Sequence, residues 1–441
     1  MEQRRKNLTQ LFIPICLETL LYMLSGMVDT LMLSSVNDQA VGAVGTANTY
    51  IGIFIIMFSV ISSGMVAVMT QNIGAGRPGV AYQARQLGLA FNAVLGVIMS
   101  LFLSLGAGII LSGVGVADAL MQPAKTYLQI VGGFCILNAL IPICSSYLRA
   151  FGFSKEPLYA SIIGNVINFC LNAFFLFVLH KGVAGVATAT VISRIINLVI
   201  VVMLGAVLVK AKQHPERESN REVMGQIIRI GLPSACETAI YNVSMTLVIR
   251  FLNQMDAQGL NVTARSYTMQ ITNFSYCVGA ALAQANAIMT GWRIGAKEYD
   301  ACDRGTRKAA IIGVIVAVIL ETMFALCSGW IMQLFSKDPQ MVSLVGKLLA
   351  IDIVLEMGRV TNLVYGQALK TSGDAVFPVV MGACFMILCS VGGTYLFGIR
   401  LGLLAVGAYI GMAGDECVRA IGMYLRWKSG KWKEKGLVKS R

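Results

Sequence analysis

The chain has 441 residues, of which 56% are hydrophobic and only 13% charged, about half the charge of an ordinary soluble domain. That excludes a water-soluble globular enzyme, and the long uninterrupted apolar runs exclude a transmembrane barrel, which needs short alternating segments. The net charge of +13 would suit a nucleic-acid binder, but its distribution along the chain follows membrane topology instead.

Met1 to Lys6 is basic, yet the apolar run behind it is too long for a cleavable signal peptide. Apolar stretches of about 20 residues cross a bilayer. The pattern predicts twelve: 11–33, 41–69, 87–113, 127–147, 158–179, 183–209, 230–251, 262–290, 309–335, 342–368, 376–397 and 401–425. The tenth is interrupted by Lys347, Asp352, Glu356 and Arg359. With a cytoplasmic N-terminus, 25 of the 35 Lys and Arg fall on the inner side and 7 on the outer, which is the positive-inside bias. Both termini are therefore expected in the cytoplasm, and the basic tail is expected to meet anionic headgroups.

Span 1 opens with Pro14-x3-Glu18-Thr19-x2-Tyr22-x2-Ser25, and span 7 repeats it as Pro233-x3-Glu237-Thr238-x2-Tyr241-x2-Ser244. Ile73-Gly74-Ala75 after span 2 recurs as Ile294-Gly295-Ala296 after span 8. Leu148-Arg149-x2-Gly152-x4-Pro157 after span 4 recurs as Leu369-Lys370-x2-Gly373-x4-Pro378 after span 10. The fold class this predicts is an all-α integral membrane protein of twelve helices. Two six-helix bundles, 1–209 and 225–425, are related by a pseudo-two-fold axis along the membrane normal. A charged cytoplasmic linker, 210–224, joins them, and a basic tail, 426–441, follows. The glycines of Gly74 to Gly79 read as turn and cap residues, because no GxxxxGK[ST] occurs anywhere in the chain. Neither HExxH nor GxSxG is present, so no enzyme, ATP or cofactor is expected, and uphill work would draw on an ion gradient. Ten of the eleven cysteines lie in spans and read as small apolar residues.

In span 1, Glu18, Tyr22, Ser25 and Asp29 share one face at about 100° per residue. A polar stripe in lipid is costly, so it should face the bundle interior. The repeat keeps Glu237, Tyr241 and Ser244 but replaces Asp29 by Val248. In span 5, Asn165, Asn168 and Asn172 share a face, and their counterparts are Met386, Cys389 and Gly393. Thr188 is matched by Ala408. Asp29, Asn172 and Thr188 all reach the outer half of the first bundle. Their oxygens suit a hard monovalent cation, with a proton as the competing occupant, and the structural alternative for Asp29 is pairing with Arg194. Glu18 and Glu237 read equally as helix-packing devices, and Glu356 with Arg359, or Asp415 and Glu416 with Arg419, as mutually neutralising pairs. The 23 methionines and the tyrosines of the spans would suit a tolerant cavity for organic cations.

Val28-Asp29-Thr30, Gly74-Ala75-Gly76, Leu148-Arg149-Ala150-x-Gly152, Asn168-x3-Asn172 and Gly185-Val186-Ala187-Thr188-Ala189, in this order on twelve spans, resemble the multidrug and toxic compound extrusion family. The resemblance covers about residues 8 to 425. It implies a V-shaped pair of bundles that exports amphipathic, often cationic, organic compounds across the cytoplasmic (inner) membrane in exchange for Na+ or H+. It also implies that Asp29, Asn168, Asn172 and Thr188 form the cation site, Na+ being one candidate occupant, and that Pro14 lets span 1 bend. Glu18, Tyr22, Glu237, Tyr241 and Glu356 are candidates for substrate contact or proton handling. The expected partners are a small organic substrate and the lipid bilayer, with no nucleic acid, and the chain is expected to act as a monomer. The competing readings are a flippase for a lipid-linked precursor, which a strongly basic cavity would favour, and a non-transporting receptor or scaffold. The latter gives no reason for a polar stripe lost from one repeat.

Overall fold

The structure is a computed structural model of the chain that describes residues 6–34, 38–113, 116, 118–210, 214–256, 258–333 and 335–438. Residues 1–5 of the basic leader, 211–213 of the linker and 439–441 of the tail lie outside the described residues. Among the described residues every regular element is a helix. In chain order, α1 is Leu8–Ser34, α2 Asp38–Gly74 and α3 Pro78–Gly113. α4 has two limbs, Asp118–Tyr127 continued by the π turn Leu128–Gly132 and then Ile136–Ala150, bent by 43°. α5 is Lys155–Ala173 continued by the π turn Phe174–Val178, and α6 is Gly182–Leu208. α7 is Asn220–Met255, α8 Leu260–Gly295, α9 Tyr299–Leu326 and α10 Pro339–Ser372. α11 is Val376–Phe385 continued by the π turns Met386–Val391 and Thr394–Arg400, and α12 is Leu404–Lys428.

These are the twelve spans the hydropathy predicts. Length and apolarity alone qualify α1, α2, α3, α5, α6, α9 and α11, and α4 if its limbs count as one. The remaining helices belong to the second half of the chain and carry more charge. α8, α10 and α12 bury it: Arg265, Asp352, Glu356, Asp415, Glu416 and Arg419 are all less than a tenth exposed. Charge in a membrane helix is tolerated where it turns inward and is paired.

Two compact units divide the chain, Met1–Gly231 and Leu232–Arg441. The described part of the linker and the first turns of α7 thus belong to the first unit. Its apolar core is built around Leu33, Ala47, Ile51, Leu103, Leu128, Leu176 and Val186, drawn from α1 through α6. Within each unit, the end at which its first helix begins is called the near end. At the near end of the first unit the linker packs onto α3. Arg77 Nη2 lies 2.6 Å from Glu218 Oε1, Gln83 Nε2 donates to Glu218 O at 2.7 Å, and Glu218 N donates back to Gln83 Oε1 at 3.0 Å. The glycines before α3 have the expected turn role at Gly76, whose φ is +74°. Gly79 serves close packing instead, since a Cβ there would come within 2.5 Å of Glu216 O. Within the first unit, the opening turns of α7 pack on α2 through a second pair of glycines. A Cβ on Gly64 would meet Ile227 O at 2.0 Å, and one on Gly231 would meet Val60 O at 1.7 Å, the small-residue contact that lets membrane helices approach closely.

Pro14 does not break α1. A proline removes the donor that would satisfy the carbonyl four residues back, here Gln10 O. The buried Ser154 hydroxyl, in the turn before α5, supplies that bond at 3.1 Å.

The core of the second unit gathers Val248, Leu252, Leu348, Leu349, Ala408 and Tyr409. Val248 and Ala408, which stand where the first half has Asp29 and Thr188, are fully buried there. The one-sided loss seen in the sequence therefore exchanges polar side chains for hydrocarbon core. The tail, expected at the headgroups, also packs against its own bundle. Trp432 stacks on Trp427 at 4.1 Å and donates from Nε1 to Trp427 O at 2.9 Å, while Trp427 Nε1 donates to Asp303 Oδ1 at 2.9 Å. The tail lysines 431, 433 and 435 stay exposed. Asn261, which opens an Asn-Val-Thr glycosylation sequon, is buried and engaged, its Oδ1 accepting from Ala405 N at 3.0 Å.

Candidate functional site

Asp29 lies five residues before the end of α1, and Asn168 and Asn172, one helical turn apart, project from α5. α1 packs along α5. Asn172 Nδ2 donates to Asp29 Oδ1 at 2.7 Å and to Asn168 Oδ1 at 3.2 Å. Asn172 is fully buried and Asn168 nearly so, while Asp29 is half-buried. The Asn172 amide spends its donor on two acceptors, and its own Oδ1 has no partner among the described residues. An orphaned buried acceptor beside a carboxylate is an unmet demand for positive charge, which a cation at this point would meet. The π turn Phe174–Val178 begins two residues after Asn172. Such turns recur at functional positions in helices because they re-aim side chains.

Thr188 does not join this bond network. Its hydroxyl donates to Ala184 O of its own helix at 2.8 Å, and among the described residues it makes no hydrogen bond to Asp29 or the asparagines. Arg194 is close enough to act on Asp29 through space, but no ion pair joins them among the described residues. Tyr127 of α4, 4% exposed, lies within electrostatic reach of Asp29 and Arg194 and faces Asn48 of α2. Sequence reasoning missed it, although it marks the predicted start of span 4; nothing in the local pattern separates it from an ordinary interfacial tyrosine.

The stripe of α1 divides. Glu18 turns inward to Arg149, with 2.6 Å between Oε2 and Nη2, and also accepts from Ser161 Oγ at 3.4 Å. Tyr22, expected to face the interior, is 69% exposed. In the second unit Glu237 pairs with Lys370 at 2.7 Å, and Tyr241, half-buried, lies near Arg359 and Tyr276. Glu356 contacts Arg359 directly. Arg359 also lies 3.5 Å from Glu416, and Arg419 binds Asp415 at 2.8 Å and Glu416 at 2.9 Å. The pairs expected to neutralise one another thus join into one buried network.

The MatE family model matches residues 14–174 and 233–396, one copy in each half. The uncharacterized transporter YisQ of Bacillus subtilis is 34% identical over 96% of this chain and 94% of its own length. A probable multidrug resistance protein NorM of Thermotoga maritima is 24% identical over 98% and 94%. Among solved structures, an outward-facing multidrug resistance MATE family transporter of the MOP superfamily superposes with a TM-score of 0.88 at 18% identity, covering 98% of this chain and 96% of that one. The eukaryotic MATE transporter AtDTX14 gives 0.84 at 17% identity, covering 97% and 96%. At such identity these two structures establish the fold, and the doubled family match with the 34% relative establishes the kinship: the chain belongs to the MatE family of multi-pass membrane transporters.

Proposed function

We propose that the protein is a cation-coupled antiporter that exports amphipathic, often cationic, organic compounds from the cytoplasm. The near ends of both bundles, with both termini, then face the cytoplasm, as the charge bias along the chain favours. The observation that carries this reading is the Asp29–Asn172–Asn168 bond system with its unpartnered Asn172 Oδ1. It is a carboxylate held among oxygens in a membrane bundle, with no counter-charge in contact among the described residues. Na+ or H+ entering there from outside would favour the conformation that releases substrate, and ion loss to the inside would reset the carrier. Only a difference in ion affinity between the two conformations can drive this exchange. The names of the NorM relatives from several bacteria support a drug-like substrate.

Reconstituted vesicles loaded with a fluorescent organic cation test the reading. Imposing a Na+ or a pH gradient should drive movement of the dye, and dependence on one gradient alone identifies the ion. Asp29→Asn should abolish the gradient-driven component while membrane insertion persists. Dye movement that ignores both gradients would overturn the antiport reading, and undiminished exchange in Asp29→Asn would remove Asp29 from it.

A further inference from the structure

The far half of the second bundle, away from its near end, buries a positive charge that no acid answers. Arg265 on α8 is 6% exposed. Its Nε has no hydrogen-bond partner, and it joins no ion pair, among the described residues. Its Nη2 donates to Met245 Sδ on α7 at 3.7 Å, a weak and uncharged acceptor. The direction of the side chain is informative. Arg265 lies five residues, about 8 Å, inside the far end of α8, and helix geometry tilts its Cβ toward that end. An arginine so placed can keep its head in water by snorkelling outward. This one reaches inward instead, to a residue ten positions, about 15 Å, below the far end of α7. Met245 there packs against the apolar core of this unit, with Val248, Leu252 and Ala264.

The acids of the unit are engaged elsewhere. Glu356, Asp415 and Glu416 are taken up by Arg359 and Arg419. Glu321 faces Ser275, ten residues and about 15 Å further along α8. Asp352 lies in the field of Arg359, Glu356 and Glu416. Asp256 accepts from Leu260 N and Asn261 N. What stands near Arg265 is polar but neutral: the buried Tyr409 of α12 brings its hydroxyl to Thr268 of α8 and lies within electrostatic reach of the guanidinium. The repeat supplies a control. Counting back 221 residues, the spacing of Ile294 and Ile73, puts Val44, Ala47 and Ile51 at the positions of Arg265, Thr268 and Thr272. All three belong to the apolar core of the first unit, so the scaffold shared by both halves is complete without this cation.

We propose that Arg265 is the ligand of a small monovalent anion, with chloride the expected occupant, held at the far end of the second bundle with the Tyr409 hydroxyl beside it. An arginine cannot shed its proton to escape burial, and a buried charge left without a partner is strongly destabilising. Charge inside a membrane bundle is tolerated where it is paired, and here the pairing charge must come from outside the chain. One guanidinium calls for one negative charge. The fully buried Val248, Leu252, Ala264 and Ala408 of the same core favour a compact ion over the body of an organic acid. The site takes the opposite charge from the Asp29 site, and its occupancy does not depend on the antiport reading.

The thermal midpoint of the detergent-purified full-length protein tests this, with sodium chloride exchanged for sodium gluconate so that Na+ and ionic strength stay fixed. The midpoint should rise with chloride and saturate, and bromide should substitute for it. Arg265→Gln should flatten that response, whereas Arg250→Gln, at an exposed position on α7, should keep it. Equilibrium dialysis of the wild type against radiolabelled chloride should give a single bound ion per chain, and this arm needs no variant to fold. A wild type that binds no chloride would overturn the proposal, as would an undiminished chloride response in folded Arg265→Gln. Equal losses of stability in Arg265→Gln and Asp352→Asn that fail to add in the double variant, at every chloride concentration, would assign the counter-charge to Asp352 and overturn it too. Because no transport step enters these measurements, failure of the antiport reading leaves the result readable.

Discussion

Glu237 and Lys370 meet at 2.7 Å in the second unit, and Glu18 and Arg149 meet at 2.6 Å in the first. Two sequence motifs that recur independently, one opening the first helix of each bundle and one closing the fourth, are therefore two ends of a single contact. Each pair is largely buried, so each staples a first helix to a fourth near the near end. This geometry favours the packing role over a transport role for both glutamates. Lys370→Met should strand the Glu237 charge at a cost of about 2–4 kcal/mol, read as a lower thermal midpoint of the detergent-purified protein. The exchanged pair Glu237→Lys with Lys370→Glu should recover a large part of the loss. A single variant as stable as wild type would show that the contact does no structural work.

Asn172 orients Asp29 and contributes the free oxygen beside it. Asn172→Leu should lower gradient-driven efflux at least about ten-fold, the effect of about 1.4 kcal/mol at the ion site. Transport rate against ion concentration in vesicles is the measurement, with membrane yield as the check on folding.

Ser154 completes the backbone that Pro14 leaves open. Ser154→Ala should free the Gln10 carbonyl at a cost of about 1 kcal/mol. Faster amide hydrogen exchange in the first turns of α1 would report it, and exchange unchanged from wild type would count against the bond.

Asp256, in the turn before α8, accepts from Leu260 N at 2.8 Å and Asn261 N at 3.0 Å. Desolvation, the largest single influence, works against the charge, but these donors together outweigh it and hold the carboxyl below its ordinary value of 3.8. A depressed folded value means the contribution is complete above that ordinary value and is lost as pH falls through the folded one. Asp256→Ala should therefore lower the thermal midpoint at neutral pH. The gap to wild type should narrow only once the pH drops below about 3.8.

Trp432 is 1% exposed and stacks on Trp427. Trp432→Ala should cost about 3 kcal/mol and release the tail to protease. Equal protease resistance of variant and wild type would argue that the tail docks by other means.

Legibility varied with the range of the interaction. Twelve spans, the duplication and the unrepeated Asp29 were readable because apolar length and repeat register are properties of a contiguous stretch. Asn168 and Asn172 were readable as one face because helical periodicity relates residues within one helix. Glu356 was readable as the partner of Arg359, three residues on, whereas Asp352 was seen only as an interruption of the tenth span and Glu321 was passed over, since a lone acid in an apolar run gives no sign of what it faces.

The amino-acid order alone determined the bundle count, the two-copy plan and the helix that bears the first-half acid. It could not state that Glu18 reaches Arg149, that Ser154 answers Pro14, or that Asn172 reaches Asp29. Each of these depends on how far one helix is rotated and slid against another. That is settled by side-chain packing across the whole bundle, through contacts between residues that the chain keeps far apart.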